Sequence, residues 1–232
     1  MSMKKIGIIC AMQVEADAMR ARLTEVRDVN EAGFSFTLGK AGDKEVILGL
    51  SGMGKVAAAV YAQTMILRFA PDALINAGVA GSLTDQLEIL DMALSTALVE
   101  HDMDTTPLGD PYGFLSGPDI VEIPADPALL AAAEAAAREE GIRALSGMIA
   151  SGDQFIATRE QKQTILSRFP AIACEMEGAA VAHTAFLSRT PVLIIRAISD
   201  SFTGKNEMDY AQFKPLAAQL SARLVLATLK RL

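Results

Sequence analysis

The feature that most constrains the fold is an alternation between short apolar runs and longer segments with helical periodicity. Runs at Lys5–Ile9, Met92–Val99 and Val192–Ile198 have the length of strands, whereas Gly54–Phe69 and Pro127–Gly141 have the length and apolar spacing of helices. Strands that alternate with helices usually pair in parallel, because each helix crosses back over the sheet. The sequence therefore predicts an α/β fold with a largely parallel sheet.

The rest of the chain fits the same scheme. We predict helices at Val14–Leu23, Arg159–Phe169, Gly178–Leu187 and Ala211–Leu232, strands at Asp72–Asn76, Arg143–Ala150 and Ala171–Cys174, and a hairpin of Phe34–Lys40 with Glu45–Leu50. Thr158 precedes one of these helices as its N-cap. Residues 101–118 have no periodicity, and such a long loop is usually functional or disordered. Because no linker or repeat appears, we expect a single domain over residues 1–232.

Composition and charge narrow the class of protein. The 232 residues are 51% apolar, which suffices for a sizeable core. A net charge of −7 argues against a nucleic-acid partner, because such binding depends on Lys and Arg at phosphates. The apolar run at the N-terminus is too short for a signal peptide or a membrane span. Cys10 and Cys174 lie in apolar runs, so we expect buried, free thiols in the reducing cytoplasm.

A glycine-rich segment at Gly49–Val56 follows one predicted strand and opens a helix. It fits the phosphate loop G-x-x-x-x-G-K-[ST] except at the last position, where Val56 has no hydroxyl for Mg²⁺. It is also a weak version of the dinucleotide fingerprint, without the expected acidic residue after the next strand. A tight turn and a small-ligand contact are the remaining interpretations.

Two further segments follow predicted strands and bring backbone groups to the sheet edge. The Gly78–Ser82 segment fits either a ligand contact or a plain turn. In the Ser151–Ile156 segment, Phe155 could stack on a flat base beside free backbone groups, or it could belong to the core.

Carboxylates close two other strands. Glu175 and Glu177 interrupt a strand where it turns into a helix, a costly position unless a hydroxyl or a charge meets them. A pair of ribose hydroxyls would suit one of them, and a salt bridge or helix-start carboxylate is the alternative. Asp200 ends the most hydrophobic strand, where burial would raise the pKa of its carboxyl and suit a general acid. Pairing with Arg196 is the alternative for Asp200.

The histidines offer no metal site. Neither His101 nor His183 has a second His, Cys or Asp at ligand spacing. We therefore expect no metal and no organic cofactor.

Together these segments resemble the bacterial 5'-methylthioadenosine/S-adenosylhomocysteine nucleosidases of the purine nucleoside phosphorylase/uridine phosphorylase superfamily. The resemblance runs nearly end to end and rests on Gly7–Met12 with Glu15, Ser51–Lys55, Gly78–Leu83, Ser151–Ile156, Glu175–Glu177 and Arg196–Asp200. It implies a three-layer αβα sandwich with a central mixed β-sheet, a homodimer, and a cytoplasmic enzyme of methionine salvage.

The resemblance also implies roles for individual residues. Asp200 would protonate N7 of adenine, Glu15 would position and deprotonate the attacking water, and Glu177 would bind the ribose hydroxyls. Further substrate contacts would come from Phe155 stacking on adenine, Ile156 reading the base through its main chain, Met176 against the sugar, Ser199 holding Asp200, and Ala11, Met12, Ala80 and Gly81 lining the pocket. Met53 and residues 101–118 occupy the positions where the partner subunit completes the 5' pocket.

The segment after the first strand distinguishes a hydrolase from a phosphorylase. Phosphorylases of the superfamily carry Gly-Asp-Pro-x-Arg there, whereas this chain has Met12-Gln13-Val14-Glu15, and a carboxylate would repel phosphate. Val79, Leu108 and Asp110 depart from residues frequent in the family, which bears on the fit around the 5' group. The motifs are similar to those of members that also accept 6-amino-6-deoxyfutalosine. A phosphorylase of the same fold and a non-catalytic nucleotide-sensing module are the alternatives.

Overall fold

The described part of the chain, residues 3–202 and 210–232 of a computed structural model, folds around a ten-stranded sheet. The strands are β1 (Lys5–Cys10), β2 (Thr24–Glu31), β3 (Phe34–Ala41), β4 (Lys44–Leu50), β5 (Ala73–Ser82), β6 (Met92–Glu100), β7 (Ile123–Pro124), β8 (Ala144–Ser151), β9 (Ala171–Glu175) and β10 (Val192–Asp200). The α-helices are α1 (Gln13–Arg20), α2 (Lys55–Phe69), α3 (Pro127–Glu139), α4 (Arg159–Leu166), α5 (Gly178–Leu187) and α6 (Tyr210–Leu229), and a 3-10 turn forms at Thr106–Leu108.

The sheet is mixed. β1 runs parallel to β4 and β5, and β10 runs parallel to β5 on its other side. β6 is antiparallel to β10 and parallel to β8, while β9 is parallel to β8 and antiparallel to β5. The strands β5, β10, β6, β8 and β9 therefore pair in a ring, from which β1, β4, β3 and β2 extend.

Helices cover both faces of the sheet. α1, α3 and α6 pack together over one face, and α2 and α5 pack together over the other. β1 serves both layers, because Ile6 and Ile8 point into the first and Ile9 into the second, as the two-residue period of a strand requires. The predicted αβα arrangement is confirmed. None of the helices in the described ranges is long and apolar enough to cross a membrane.

β5 differs from its prediction, which ended the strand at Asn76. It continues through the glycine-rich segment to Ser82, because β10 pairs with it as far as Gly81 and β9 pairs with Gly81 and Ser82. The small residues are needed for close packing. A Cβ at Gly78 would lie 3.3 Å from the Arg196 guanidinium, and one at Gly81 would lie 3.0 Å from the Asp200 carboxylate. The segment is thus neither a turn nor a loop.

Two other predictions need correction. β2 was not predicted, because this edge strand is largely exposed and lacks a regular apolar alternation. α1 ends at Arg20 rather than at Leu23, which turns into the core beside Gly39. The remaining predicted helices and strands lie within a few residues of their observed bounds, and Thr158 caps α4 as predicted.

Candidate active site

A cavity of about 420 Å³ opens at the carboxyl ends of β1, β4, β5, β8, β9 and β10. The structure brings every predicted site residue to its wall: Ala11, Met12, Glu15, Met53, Ala80, Gly81, Phe155, Ile156, Met176, Glu177, Ser199 and Asp200. Residues from six distant parts of the chain meet there because neighbouring strands end at the same edge.

Glu15 lies in the first turn of α1, directly after β1. Its Oε2 accepts hydrogen bonds from the backbone N–H groups of Ala11 (3.2 Å) and Met12 (3.0 Å), which fixes the carboxylate against the cavity wall. Its Oε1 is buried and has no partner among the described residues. Burial raises the pKa of Glu15, although the two backbone bonds and the Arg196 charge oppose this. Glu15 therefore combines a fixed position with a free acceptor and increased basicity.

The carboxylates of Glu175 and Glu177 have different partners. Glu175 pairs with the buried Arg196 and accepts hydrogen bonds from Ser151 Oγ and from the backbone N–H groups of Glu177 (3.0 Å) and Gly178 (2.7 Å). The salt-bridge and helix-start alternative therefore describes Glu175. Burial would raise the pKa of Glu175, but the charge of Arg196 and these hydrogen bonds outweigh it and lower the pKa.

Glu177 is the member of the pair with capacity for a ligand. Its Oε1 accepts one hydrogen bond, 3.0 Å from the backbone N–H of Gly54. Burial, followed by the negative charge of Glu175, raises the pKa of Glu177 to about 7, against the opposing charge of Arg196. A carboxyl group whose pKa is about 7 is partly protonated at neutral pH. At the cavity wall it can therefore accept hydrogen bonds from hydroxyl groups and donate one to them.

Asp200 lies at the end of β10, and its surroundings differ from those predicted. Its side chain is 47% exposed, so the expected burial is wrong for this protein. The predicted alternative of pairing with Arg196 is also wrong, because Arg196 binds Glu175. Instead, Asp200 Oδ1 contacts Lys162 Nζ, and Asp200 Oδ2 accepts a hydrogen bond from Ser199 Oγ at 3.0 Å.

The segment after β8 provides an aromatic ring and free backbone groups. Phe155 is 77% exposed, so it does not belong to the core. The N–H and C=O groups of Ile156 have no hydrogen-bond partner in residues 3–202 and 210–232. Capping bonds between Thr158 and Gln161 fix the point where this segment enters α4. An exposed ring beside unpaired backbone groups suits a flat heterocycle.

The glycine-rich turn before α2 contributes to the cavity wall, and it is not a phosphate loop. Gly52 and Gly54 adopt positive φ angles of 81° and 94°, and the turn presents Gly54 N–H to Glu177. Lys55 Nζ binds Glu100 (2.9 Å) and Asp102 (2.7 Å), so its charge is already neutralised. The tight-turn interpretation fits this segment, and Met53, 73% exposed, forms part of the cavity wall.

Lys162 is a residue of the site's surroundings that no sequence signal marks. It lies on α4 among polar residues, so neither periodicity nor a motif distinguishes it from a solvent-exposed lysine, yet its side chain is only 5% exposed. Within the described ranges, the structure has no group of three His, Cys, Asp or Glu residues placed to hold a metal ion.

Comparison with known proteins places the chain in a family. The model of the phosphorylase superfamily matches residues 5–230. A 5'-methylthioadenosine/S-adenosylhomocysteine nucleosidase of Shewanella loihica is 37% identical over 98% of this chain and 100% of its own length. This chain belongs to the 5'-methylthioadenosine/S-adenosylhomocysteine nucleosidase family.

Solved structures of the family have the same fold. The nucleosidase of Neisseria meningitidis in complex with methylthio-immucillin-A is 37% identical, with a TM-score of 0.93 over 99% of this chain and 100% of that one. A futalosine hydrolase of Helicobacter pylori is 34% identical, with a TM-score of 0.92 over 99% of both chains. The family resemblance inferred from the motifs is confirmed.

Proposed function

We propose that this chain hydrolyses the N-glycosidic bond of 5'-methylthioadenosine and S-adenosylhomocysteine, releasing adenine and the 5-thioribose product. One observation carries the proposal: Glu15, Glu177 and Asp200, far apart in sequence, line one cavity at the sheet edge. Its volume of about 420 Å³ suits a nucleoside. The family membership supports the same reaction.

Asp200 is the group that activates the leaving base. Protonated Asp200 gives its proton to N7 of adenine, and the C1'–N9 bond then breaks with its electron pair moving to the base. The ribose gains oxocarbenium character, which the carboxylates of Glu15 and Glu177 stabilise electrostatically. Ser199 supports this role by donating a hydrogen bond to Asp200 Oδ2.

Glu15 is the group that activates water. A water molecule that donates a hydrogen bond to the free Oε1 loses its proton to Glu15 as its oxygen forms a bond with C1'. The raised pKa of Glu15, caused by burial, makes its carboxylate a better base than an exposed glutamate. The reaction transfers one proton from Asp200 and one to Glu15, and exchange with solvent restores both.

The remaining residues of the cavity wall hold the substrate. Glu177 binds the ribose hydroxyls, Met176 lies against the sugar, and Phe155 stacks on adenine. The unpaired backbone groups of Ile156 read the edge of the base. These assignments are supported by the position of each residue on the wall, together with Ala11, Met12, Ala80, Gly81 and Met53.

The charge of the cavity favours water over phosphate. Four carboxylates line it, whereas none of the described lining residues is Lys or Arg. The buried Arg196 lies behind the wall and is paired with Glu175. A phosphate dianion would be repelled from such a site, which argues against a phosphorylase of the same fold. The third interpretation, a non-catalytic nucleotide sensor, loses its main support because Lys55 is engaged in ion pairs.

Adenine release tests the proposal. The protein is incubated with 5'-methylthioadenosine in phosphate-free buffer, and adenine is followed by chromatography. Wild-type protein should release adenine, and Glu15→Gln should lose most of that activity because its side chain is no longer a base. Binding of substrate without adenine release would support the sensor, and release only after phosphate addition would support the phosphorylase.

A second substrate in this proposal is 6-amino-6-deoxyfutalosine. The futalosine hydrolase of Helicobacter pylori has the same fold over nearly the whole chain. Met53 lines the cavity and is 73% exposed, so its side chain can move aside for a larger 5' group. Adenine release from 6-amino-6-deoxyfutalosine, compared with release from 5'-methylthioadenosine by the same preparation, tests this breadth.

We further propose that a single domain over residues 1–232 acts as a homodimer in the cytoplasm, in methionine salvage. One family model spans residues 5–230, and the cysteines Cys10 and Cys174 are free and buried. An apolar surface, here named the α2 patch, lies beside the cavity and supports dimerisation. It consists of the exposed side chains of Met53, Val56, Val60 and Leu67 on and before α2, with Phe186 and Leu187 at the end of α5.

A further inference from the structure

Lys162 is a buried ammonium group beside the cavity. Its side chain is 5% exposed, and its Nζ contacts Asp200 Oδ1 and donates a hydrogen bond to the backbone oxygen of Ser201 at 3.3 Å. A buried charge is costly unless it is paired, so this lysine depends on Asp200. Asp200, in contrast, is half-exposed and also held by Ser199.

The other groups around Asp200 carry no competing charge. From β9, Cys174 faces both Lys162 and Asp200, and burial raises the pKa of its thiol to about 12, so it stays neutral. From β5, Gly81 approaches Asp200 with backbone only. Glu175 also lies on β9, and its charge is balanced by Arg196. Among the described residues, Lys162 is therefore the one cation in contact with Asp200.

The path of the chain connects this ion pair to the base-binding segment. Phe155 and Ile156 lead through the capping bonds of Thr158 directly into α4, whose first turns carry Lys162. The Lys162–Asp200 contact thus joins α4 to the end of β10 beside the cavity. The segment proposed to hold adenine and the group proposed to protonate it are fixed to each other.

We propose that Lys162 is a positioning residue for the hydrolytic reaction, which holds Asp200 at the cavity and stabilises the carboxylate formed when its proton passes to N7. This inference rests on the proposed function. Before the reaction Asp200 is a carboxylic acid beside the ammonium group of Lys162. After transfer to N7 the two groups form the ion pair seen in the structure, and Lys162 keeps its proton throughout.

A split between kcat and KM separates this role from a purely structural one. Lys162 contacts Asp200 but does not line the cavity, so Lys162→Met removes no contact with the substrate. In this variant kcat should fall severalfold, because the carboxylate formed on proton transfer loses the cation that stabilises it. The loss is limited, because the half-exposed pair is partly screened by solvent, and KM should stay close to its wild-type value.

Two variants serve as controls. Lys162→Arg keeps the charge and should return kcat towards its wild-type value. Lys44→Met removes another buried lysine, which pairs with Asp43 far from the cavity, and should leave kcat unchanged. Lys162→Gln provides a second neutral side chain if the Met variant does not fold.

The outcomes are distinct from those of the functional assay. Wild-type protein that releases no adenine would refute the proposed function itself. Active wild-type protein with the same kcat in Lys162→Met, or with an equal loss of kcat in Lys162→Arg, would overturn the role of Lys162. A loss of kcat confined to the neutral variants, with KM little changed, supports it.

Discussion

At the scale of single residues, Glu175 and Glu177 show how the local environment gives two identical side chains different pKa values and different roles. They are two positions apart, yet the pKa of Glu175 is lowered and that of Glu177 is raised to about 7. Both are buried, and the difference arises because Arg196 and Ser151 bind Glu175, whereas Glu177 receives a single backbone N–H. Such divergence within one pair marks the carboxyl group that is available for a ligand.

The role of Asp200 predicts a large effect of an isosteric substitution. In Asp200→Asn the side chain keeps its shape but cannot supply a proton, so kcat for 5'-methylthioadenosine should fall by about 10²-fold or more. Steady-state kinetics measure this, with the melting temperature as the control for folding. Near-normal turnover would remove Asp200 from the mechanism.

The burial of Glu15 predicts the position of the acid limb. A base must be ionised, and a raised pKa means that protonation removes the base at a higher pH than for an ordinary glutamate of pKa 4.5. We therefore expect kcat/KM to fall on acidification with a limb that lies above pH 4.5. The limb should persist in Glu177→Gln, which removes the other raised carboxyl group. Its disappearance in that variant would assign the acid limb to Glu177 instead.

Residue identities predicted the cavity wall well, but not the partners of its charges. Asp200 was placed at the sheet edge because it ends an apolar strand, a local signal. Its pairing with Lys162 depends on where the fold places α4 relative to the end of β10, which leaves no pattern in either segment. The same holds for Gly54, whose backbone N–H donates a hydrogen bond to Glu177, 123 positions away in the sequence.

At the scale of helices and strands, the N-cap of α4 links stability to substrate binding. Thr158→Ala removes a capping hydrogen bond, and Asp126→Ala does the same at α3, so each should lower the free energy of unfolding by about 1 kcal/mol. Only Thr158→Ala should also raise KM, by a few fold, because the Thr158 cap fixes the end of the segment that carries Phe155 and Ile156. Thermal unfolding and steady-state kinetics measure both effects. Equal KM changes in the two variants would contradict this link.

The elements themselves follow from the sequence where local pattern and burial agree. β10 is buried along Val192–Ile198 and was predicted from its apolar run. β2 lies exposed at the sheet edge, and β5 extends through glycines that usually end a strand, so each was missed or shortened. β5 is extended by its pairing with the distant strand β10, and β2 is formed by its pairing with β3 in a hairpin. Neither contact is encoded in the local propensity of the segment itself.

At the scale of the whole molecule, the α2 patch predicts how assembly affects activity. Val60 lies in the patch but does not line the cavity, so Val60→Glu should shift the protein from dimer to monomer and raise KM through loss of the neighbouring subunit. Light scattering coupled to gel filtration measures the mass. Leu216→Glu is the matched control, because Leu216 is an exposed leucine on α6, outside the patch.

A dimer that persists in Val60→Glu would show that the α2 patch is not the interface. A monomer with unchanged KM would show that the cavity is complete within one chain. Both results would leave the three carboxylates in place, because these come from a single chain.

Glu15 and its acidic surroundings should select water, not phosphate, as the nucleophile. The mass of the sugar product, after turnover of 5'-methylthioadenosine in buffer that contains excess phosphate, shows which nucleophile reacts. We expect free 5-methylthioribose, formed at the same rate with and without phosphate. A 1-phosphate ester of the sugar, or a rate that rises with phosphate concentration, would rule out this selection of water.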